Sequence, residues 1–495
     1  MSEATAWLGL DVGTQSARAL AVSTTGEILA SGSHPLESRR DGPRHEQDSE
    51  QWWSAVAAAC RAALGDLPSE SIDGVGGLAV CGTSGTIMLA DAAGSPLSPG
   101  LLYDDSRAGE EAERANEAGS ETWESLGYRI QPSWALPKLL WLLREHQADA
   151  RQARLAHQVD FVTRRLVGHE VPADSSHALK TGYDLLDEAW PHAVMDELGV
   201  PDGMLPRVVR SGTQLGTVDR DGAEATGIPE GMPVIAGMTD GCAAQLPAGA
   251  LSVGSWNSVL GTTLVLKGVA RELVRDPQGA VYSHRSPEDL WLPGGASSVG
   301  AGVLSDSFPD RDLEALDERA AQREPAEVIA YPLVSEGERF PFSAPDAEGF
   351  VLGEPADEDD HYAALLQGVA YVERLCFDHL DRLGAPIDGE LSLTGGGASS
   401  RYWCQLRADV LGREVRLPEN AEAALGMAVL AASSCTGRSL TEVAGDMVRI
   451  REIIEPRPDR AERFLEPYTR LVDELEHRGW LDPAVAEHAR CRAEH

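Results

Sequence analysis

No run of about eighteen apolar residues occurs in this chain, so no membrane-spanning helix is expected. Nothing at the front reads as a secretion leader: Ser2 to Ala6 lead straight into an apolar strand, with no basic segment followed by an apolar one. Cysteine is sparse and unpatterned. The seven (Cys60, Cys81, Cys242, Cys376, Cys404, Cys435 and Cys491) form no C-x-x-C pair, and their odd number and irregular spacing argue against a disulfide framework or a zinc site. A reduced, cytoplasmic setting is the expectation. Positive charge is also short: 42 Lys and Arg face 79 Asp and Glu, a net charge of −37. That disfavours nucleic acid and anionic membranes as partners. It does not disfavour a nucleotide, because a small site can use backbone N–H groups and Mg2+. The spacing G-x-G-x-x-G between strand and helix is missing as well, since Gly9, Gly13 and the Gly395 run do not make it, and this removes an oxidoreductase reading.

What is present begins with size. At 495 residues the chain is too long for one ordinary core and implies two large domains. Its most informative stretch is Leu8-Gly9-Leu10-Asp11-Val12-Gly13-Thr14-Gln15-Ser16. An apolar run ends in an acid and is followed by a Gly-Thr turn, which predicts a buried strand and a hairpin into a second strand over Ala17 to Ala21. Bare N–H groups, hydroxyls and a carboxylate at such a tip suit a phosphate and its Mg2+. The same pattern serves equally for an ordinary hairpin. About half a chain later it returns: Trp256 to Leu260, a turn at Gly261-Thr262-Thr263, then Leu264 to Lys267.

Between and after these hairpins the patterning predicts helices over Glu50 to Leu64, Pro137 to Arg144 and Ala243 to Ala250. It predicts strands over Gly74 to Val80, Ile87 to Ala90, Leu101 to Tyr103 and Pro233 to Gly237. Further on come helices over Tyr362 to Leu383, Tyr402 to Leu411 and Ala421 to Ala432, and a strand over Leu391 to Thr394 that runs into Gly395-Gly396-Gly397-Ala398. From Glu455 the chain is charged and helical.

Phosphoryl transfer needs a nucleophile in line, a metal on the phosphates and donors aimed at the spreading charge. Four strand-end loops meet those needs in chain order. Asp11 with Gly13, Thr14 and Ser16 suits Mg2+ and phosphate. Asp240, flanked by glycine after a buried strand, suits a general base toward a hydroxyl. Gly261 and Thr262 offer further donors, and the Gly395 run lets a flat base approach the backbone. Each loop alone is as well explained by turn formation; their conjunction is what points to this chemistry.

Together L-G-L-D-V-G-T-Q-S, Y-D-D-S-R, G-M-T-D-G, L-G-T-T and L-T-G-G-G-A-S-S-R-Y-W-C-Q-L-R-A-D-V-L-G resemble the FGGY carbohydrate kinases over roughly residues 7 to 432. The resemblance implies an α/β protein of two ribonuclease-H-like (actin/hexokinase-type) domains with a deep interdomain cleft. The matching boundaries are 1–248 for a sugar-side domain, 249–436 for an ATP-side domain and 437–495 for a C-terminal helical appendage. It implies Asp240 as catalytic base and Asp11 as the Mg2+ and phosphate residue. Gly13, Thr14, Gln15 and Ser16 would line one phosphate loop and Gly261 and Thr262 another, with Gly396, Gly397 and Ala398 beside the adenosine. Asp105 would contact sugar, although Tyr103 stands where the family's W-x-D-x-R carries Trp. Such folds often dimerise, so a homodimer is an open expectation.

The sugar is read from one turn. Gly82-Thr83-Ser84-Gly85-Thr86 stands where the family's xylulose kinases carry Gln-Met-His-Gly, and the Asn-Gln-Arg-Glu-Thr of its glycerol kinases is absent. With L-L-Y, G-T-T-L-V-L-K, V-Y-S-H-R and G-E-R-F-P, this turn resembles a xylulose-kinase-like plant and cyanobacterial branch associated with D-ribulose. That likeness assigns Asp11, Ser84 and Asp240 to the ketose. The expectation is therefore an ATP- and Mg2+-dependent kinase giving D-ribulose 5-phosphate. D-Xylulose or another polyol or ketose is the alternative substrate. A non-catalytic nucleotide-gated module is the alternative class, and an actin- or chaperone-type ATPase is opposed by the block from Trp403 to Asp409.

Overall fold

The computed structural model describes residues 4–145, 152–201 and 203–494. The chain divides into two compact units: Met1–Gly249 with His284–Leu290 and Asn420–Arg449, and Ala250–Ser283 with Trp291–Glu419 and Ile450–His495.

The first unit is built on β1 (Ala6–Val12), β2 (Ser16–Ser23), β3 (Ile28–Pro35), β4 (Val75–Gly82), β5 (Gln214–Thr217) and β6 (Pro233–Ile235), in the order β5-β6-β4-β1-β2-β3. β1 is central and nearly all apolar, as a strand covered on both faces must be. It pairs antiparallel with β2 and parallel with β4, which in turn runs parallel to β6. The helix Ser49–Gly65 is started by the Asp48 carboxylate, which accepts from the Glu50 N–H, and it buries Trp52, Val56, Ala59, Cys60 and Ala63. The helix Ala423–Thr436, apolar on every side, lies against β1. Gly9 permits that approach: a Cβ there would stand 1.7 Å from the Ala424 carbonyl oxygen.

The second sheet has β7 (Trp256–Leu260), β8 (Leu264–Gly268), β9 (Tyr282–Arg285, whose last two residues count with the first unit), β10 (Trp291–Ala296), β11 (Leu391–Thr394), β12 (Val415–Pro418) and β13 (Ile450–Ile454), in the order β9-β10-β8-β7-β11-β12-β13. β7 repeats the arrangement of β1: antiparallel to the next strand, parallel to a later one, β11. The helices Glu358–Arg382 and Arg401–Leu411 pack together, and Arg407 and Glu373 meet between them at 2.7 Å with no solvent exposure.

Three expectations differ from what is found. The helix expected over Ala243 to Ala250 is a single turn, Asp240–Ala243, followed by turns. Pro247 and the left-handed Gly249 (φ +75°) stop it, so its small residues serve close packing rather than helix length. The strand expected over Leu101 to Tyr103 is the pair Gly100–Leu101, and Tyr103 is exposed. The segment 437–495 is not all helical: Leu440–Met447 is a helix of the first unit, and Ile450–Ile454 adds an antiparallel edge to the second sheet before the terminal helices begin. Among the described residues no helix is long and apolar enough to cross a membrane.

Candidate active site

Ligands of open α/β sheets gather at the carboxyl ends of parallel strands. In the first unit three such ends lie side by side. Asp11 of β1 stands opposite Cys81 of β4, Val12 opposite Gly82, and Gly82 bridges to Thr239, the residue before Asp240. Thr239 is fixed from behind, its N–H donating to Ser176 Oγ at 3.1 Å. Asp240 Oδ1 accepts the Gly241 N–H at 2.7 Å. The Cys81 thiol points at Asp11 Oδ1 (3.6 Å) and the Leu10 carbonyl (3.5 Å).

Two acids at strand ends on either side of β4 disturb each other. Burial first, and the Asp240 charge second, push the Asp11 carboxyl up to about 7, with Arg18 and Cys81 opposing. Burial and the same two carboxylates push the Cys81 thiol well above its usual range, so it stays a protonated donor. Among the described residues no group of three or more His, Cys, Asp or Glu converges as a self-contained metal site. A carboxylate pair with so little compensating positive charge does fit Mg2+, which takes one or two carboxylates and completes its shell with phosphate oxygens and water.

The hairpin tip is closed by Gly13 N–H donating to the Ser16 carbonyl at 3.0 Å. Gln47 holds it from outside, its Nε2 donating to the Thr14 carbonyl at 2.7 Å while its Oε1 accepts from Trp52. Thr14 and Ser16 are half-buried and Gln15 is exposed.

The turn after β4 is held by Gln158, whose Oε1 accepts from both the N–H and the hydroxyl of Thr83 at 3.1 Å. Beneath it His177 is clamped by Asp174 at 2.7 Å and reaches the Gly82 carbonyl at 3.3 Å. Burial opposes the charge on His177, but the Asp174 carboxylate outweighs it, so its pKa is raised. Ser84 stands on this turn, yet its hydroxyl is shut from solvent with no partner. Its carbonyl accepts from Lys180 Nζ at 3.3 Å.

Asp105 departs from its expected exposure to sugar. It is completely buried, and Oδ2 accepts from the His45 N–H at 2.7 Å and from Arg107 Nη2 at 2.6 Å. The half-buried neighbour Asp104, paired with Arg40 and His45, is the outward acid of this loop. Arg107, two residues on, needs a buried counterion, and this turns Asp105 inward.

In the second unit the matching strand ends carry no acid. Gly261 N–H donates to the Thr263 carbonyl at 3.1 Å, and the Gly261 and Thr262 carbonyls accept from Ala301 and Gly302. Beside this turn β11 ends in Gly395 (φ +83°), and a Cβ at Gly397 would stand 2.5 Å from Leu260 Cδ2, whereas one at Gly396 would meet nothing within 4 Å. Ala398 closes the loop onto the Gly395 carbonyl at 3.1 Å. Sequence reasoning missed Gln47, Gln158, Lys180 and Glu373, because each acts on a residue far off in sequence and sits in no motif.

Two α/β units that each place a glycine-turned hairpin beside a parallel strand define the two-domain actin/hexokinase-like fold. Residues 6–247 match the N-terminal domain of the FGGY family of carbohydrate kinases and residues 256–435 its C-terminal domain. The chain belongs to this family and is a sugar kinase. It is 32% identical over 455 residues to a xylulose kinase of Streptomyces coelicolor, covering 88% of this chain and 89% of that one. It is 28% identical over 438 residues to the xylulose kinase of Escherichia coli, covering 86% and 89%. Among solved structures, the xylulose kinase of Rhodospirillum rubrum is similar with a TM-score of 0.85 and 26% identity, over 95% of this chain and 98% of that one.

Proposed function

We propose that this chain transfers the γ-phosphoryl group of ATP to the terminal hydroxyl of a ketopentose, with D-xylulose as the first acceptor. The observation that carries the reading is the coupling of Asp11 with Asp240 at parallel strand ends on either side of β4. Asp240 takes the hydroxyl proton as the sugar oxygen bonds to phosphorus and the bond to ADP breaks. Asp11 would hold Mg2+, which when bound would neutralise phosphate charge. The Gly13 to Ser16 tip, Gln15 included, and the Gly261–Thr262 turn receive phosphate oxygens. Gly396, Gly397 and Ala398 give the adenosine a wall without bulky side chains. Asp105 serves by positioning Arg107 and the His45 backbone rather than by touching sugar. The expected first boundary at 248/249 lies beside the end of the first unit's main segment at Gly249, whereas the expected 249–436 segment differs from the second unit, since His284–Leu290 and Asn420–Arg449 belong to the first unit and Ile450–His495 to the second.

The names of the relatives reported above support D-xylulose and give no support to the D-ribulose expectation. D-Ribulose is the second reading, favoured by one observation: a short Ser84 in the turn after β4. The test is a set of D-xylulose, D-ribulose, glycerol and gluconate with ATP and Mg2+. The highest kcat/KM is expected for a ketopentose, D-xylulose ahead. D-Ribulose ahead would replace the first acceptor by the second, and glycerol or gluconate ahead would overturn the ketopentose reading.

A further inference from the structure

Lysine is the rarest charged residue of this chain, which has only Lys138, Lys180 and Lys267. Lys138 and Lys267 are buried, whereas Lys180 is half-buried and lies on the turn after β4. Its Nζ donates to the Ser84 carbonyl at 3.3 Å and sits 5.9 Å from the centroid of the Trp134 ring. Its stem crosses Gly85, where φ is +95° and a Cβ would stand 3.3 Å from Lys180 Cδ. A side chain at 85 would displace it. The Ser84 hydroxyl is shut from solvent, whereas Lys180 is half-buried and its ammonium donates at the Ser84 carbonyl.

The turn also stands at the right remove from the proposed base. Gly82 bridges to Thr239, next to Asp240, and Ser84 follows two residues later. Two residues span at most about 7 Å, the scale of a five-carbon sugar. An ammonium only donates hydrogen bonds. On a ketopentose the hydroxyls both donate and accept, and the ketone oxygen alone only accepts.

We propose that Lys180 is a specificity-determining residue that binds the ketone oxygen of the acceptor and so selects a 2-keto sugar over the corresponding polyol. This rests on the ketopentose reading above. The ammonium polarises no bond that breaks; it holds the far end of the sugar while the near hydroxyl reacts. Loss should therefore fall on KM rather than kcat.

The experiment compares wild type, Lys180→Met, Lys180→Gln and Lys180→Arg on D-xylulose, D-ribulose, xylitol and ribitol, the pentitols as substrates or competitive inhibitors. Losing a charge-assisted hydrogen bond should lower kcat/KM for the ketopentoses by about 10- to 100-fold in the Met and Gln variants, mainly through KM. Pentitol constants should change less than about threefold on this basis, and Arg should restore part of the preference. Ketose constants unchanged, or ketose and pentitol constants falling together, in variants that melt like wild type would overturn the role of Lys180 alone. Wild type inactive on every ketopentose would overturn the ketopentose reading and this inference with it.

Discussion

β1 ends in Asp11-Val12 and turns through Gly13 to Gln15 into β2; β7 ends in Leu260 and turns through Gly261 to Thr263 into β8. Each first strand lies parallel to a later strand whose end completes the site, β4 in one unit and β11 in the other. The scaffolds match, but the chemistry hung on them does not. The first unit offers Asp11, Cys81 and Asp240, groups that hold or move protons and cations. The second offers Gly261, Thr262 and Gly395 to Ala398, groups that present backbone and leave room. The supports differ as well. His177 and Asp174 brace the first site from beneath. In the second unit the Ser258 hydroxyl donates to Glu373 Oε1 at 2.6 Å, and Arg407 joins both. The lesson is that one hairpin design is neutral as to function, and strand-end residues decide it.

The largest effect is expected from the buried ion pair beneath the second site. Glu373→Ala strands the Arg407 guanidinium in a dry interior, and the second unit should lose about 3–5 kcal/mol of stability by denaturant unfolding. Replacing Arg407 and Glu373 together by Met should cost far less. Equal losses in the single and double variants would show that this pair is not what holds β7.

A smaller effect separates fold from ligand in the glycine loop. Gly397→Ala sets a Cβ against Leu260 and should cost about 1–3 kcal/mol of stability. Gly396→Ala meets no protein atom within 4 Å. It should melt like wild type and weaken nucleotide binding by about tenfold, a loss of some 1.4 kcal/mol, by calorimetry. Unchanged affinity would remove this loop from the adenosine wall.

The smallest effect is a pH slope in the first unit. Burial lowers the Lys138 amine to about 7, against 10.5 when exposed, while Asp105 opposes the shift. Between those values the unfolded chain holds a proton that the folded chain has released, so raising pH favours folding; below about 7 both hold it and the penalty is complete. Wild type should gain about 1 kcal/mol relative to Lys138→Met between pH 7 and pH 8. A difference that does not change with pH would mean that Lys138 keeps its proton in the fold.

Both hairpins were legible because an apolar run followed by Gly-Thr has few other outcomes. Asp240 was legible as an acid after a buried strand, and Gly395 to Ala398 as a loop without Cβ atoms. The direction of Asp105 was not, because its partner His45 lies 60 residues away and its burial follows from Arg107 finding no other counterion as deep. Lys180 was invisible for the same reason: it meets Ser84 across 96 residues. The single turn at Asp240–Ala243 was misread as a longer helix, since small residues favour helix locally while Pro247 and Gly249 end it.

The division of labour between the two sets of loops is tested most directly by Asp240→Asn, with turnover and nucleotide affinity measured on the same preparation. The variant removes one proton acceptor from the first unit and changes no residue of the second. Turnover should fall by about 100- to 10,000-fold with ATP affinity within twofold of wild type. Near-wild-type turnover would contradict the account.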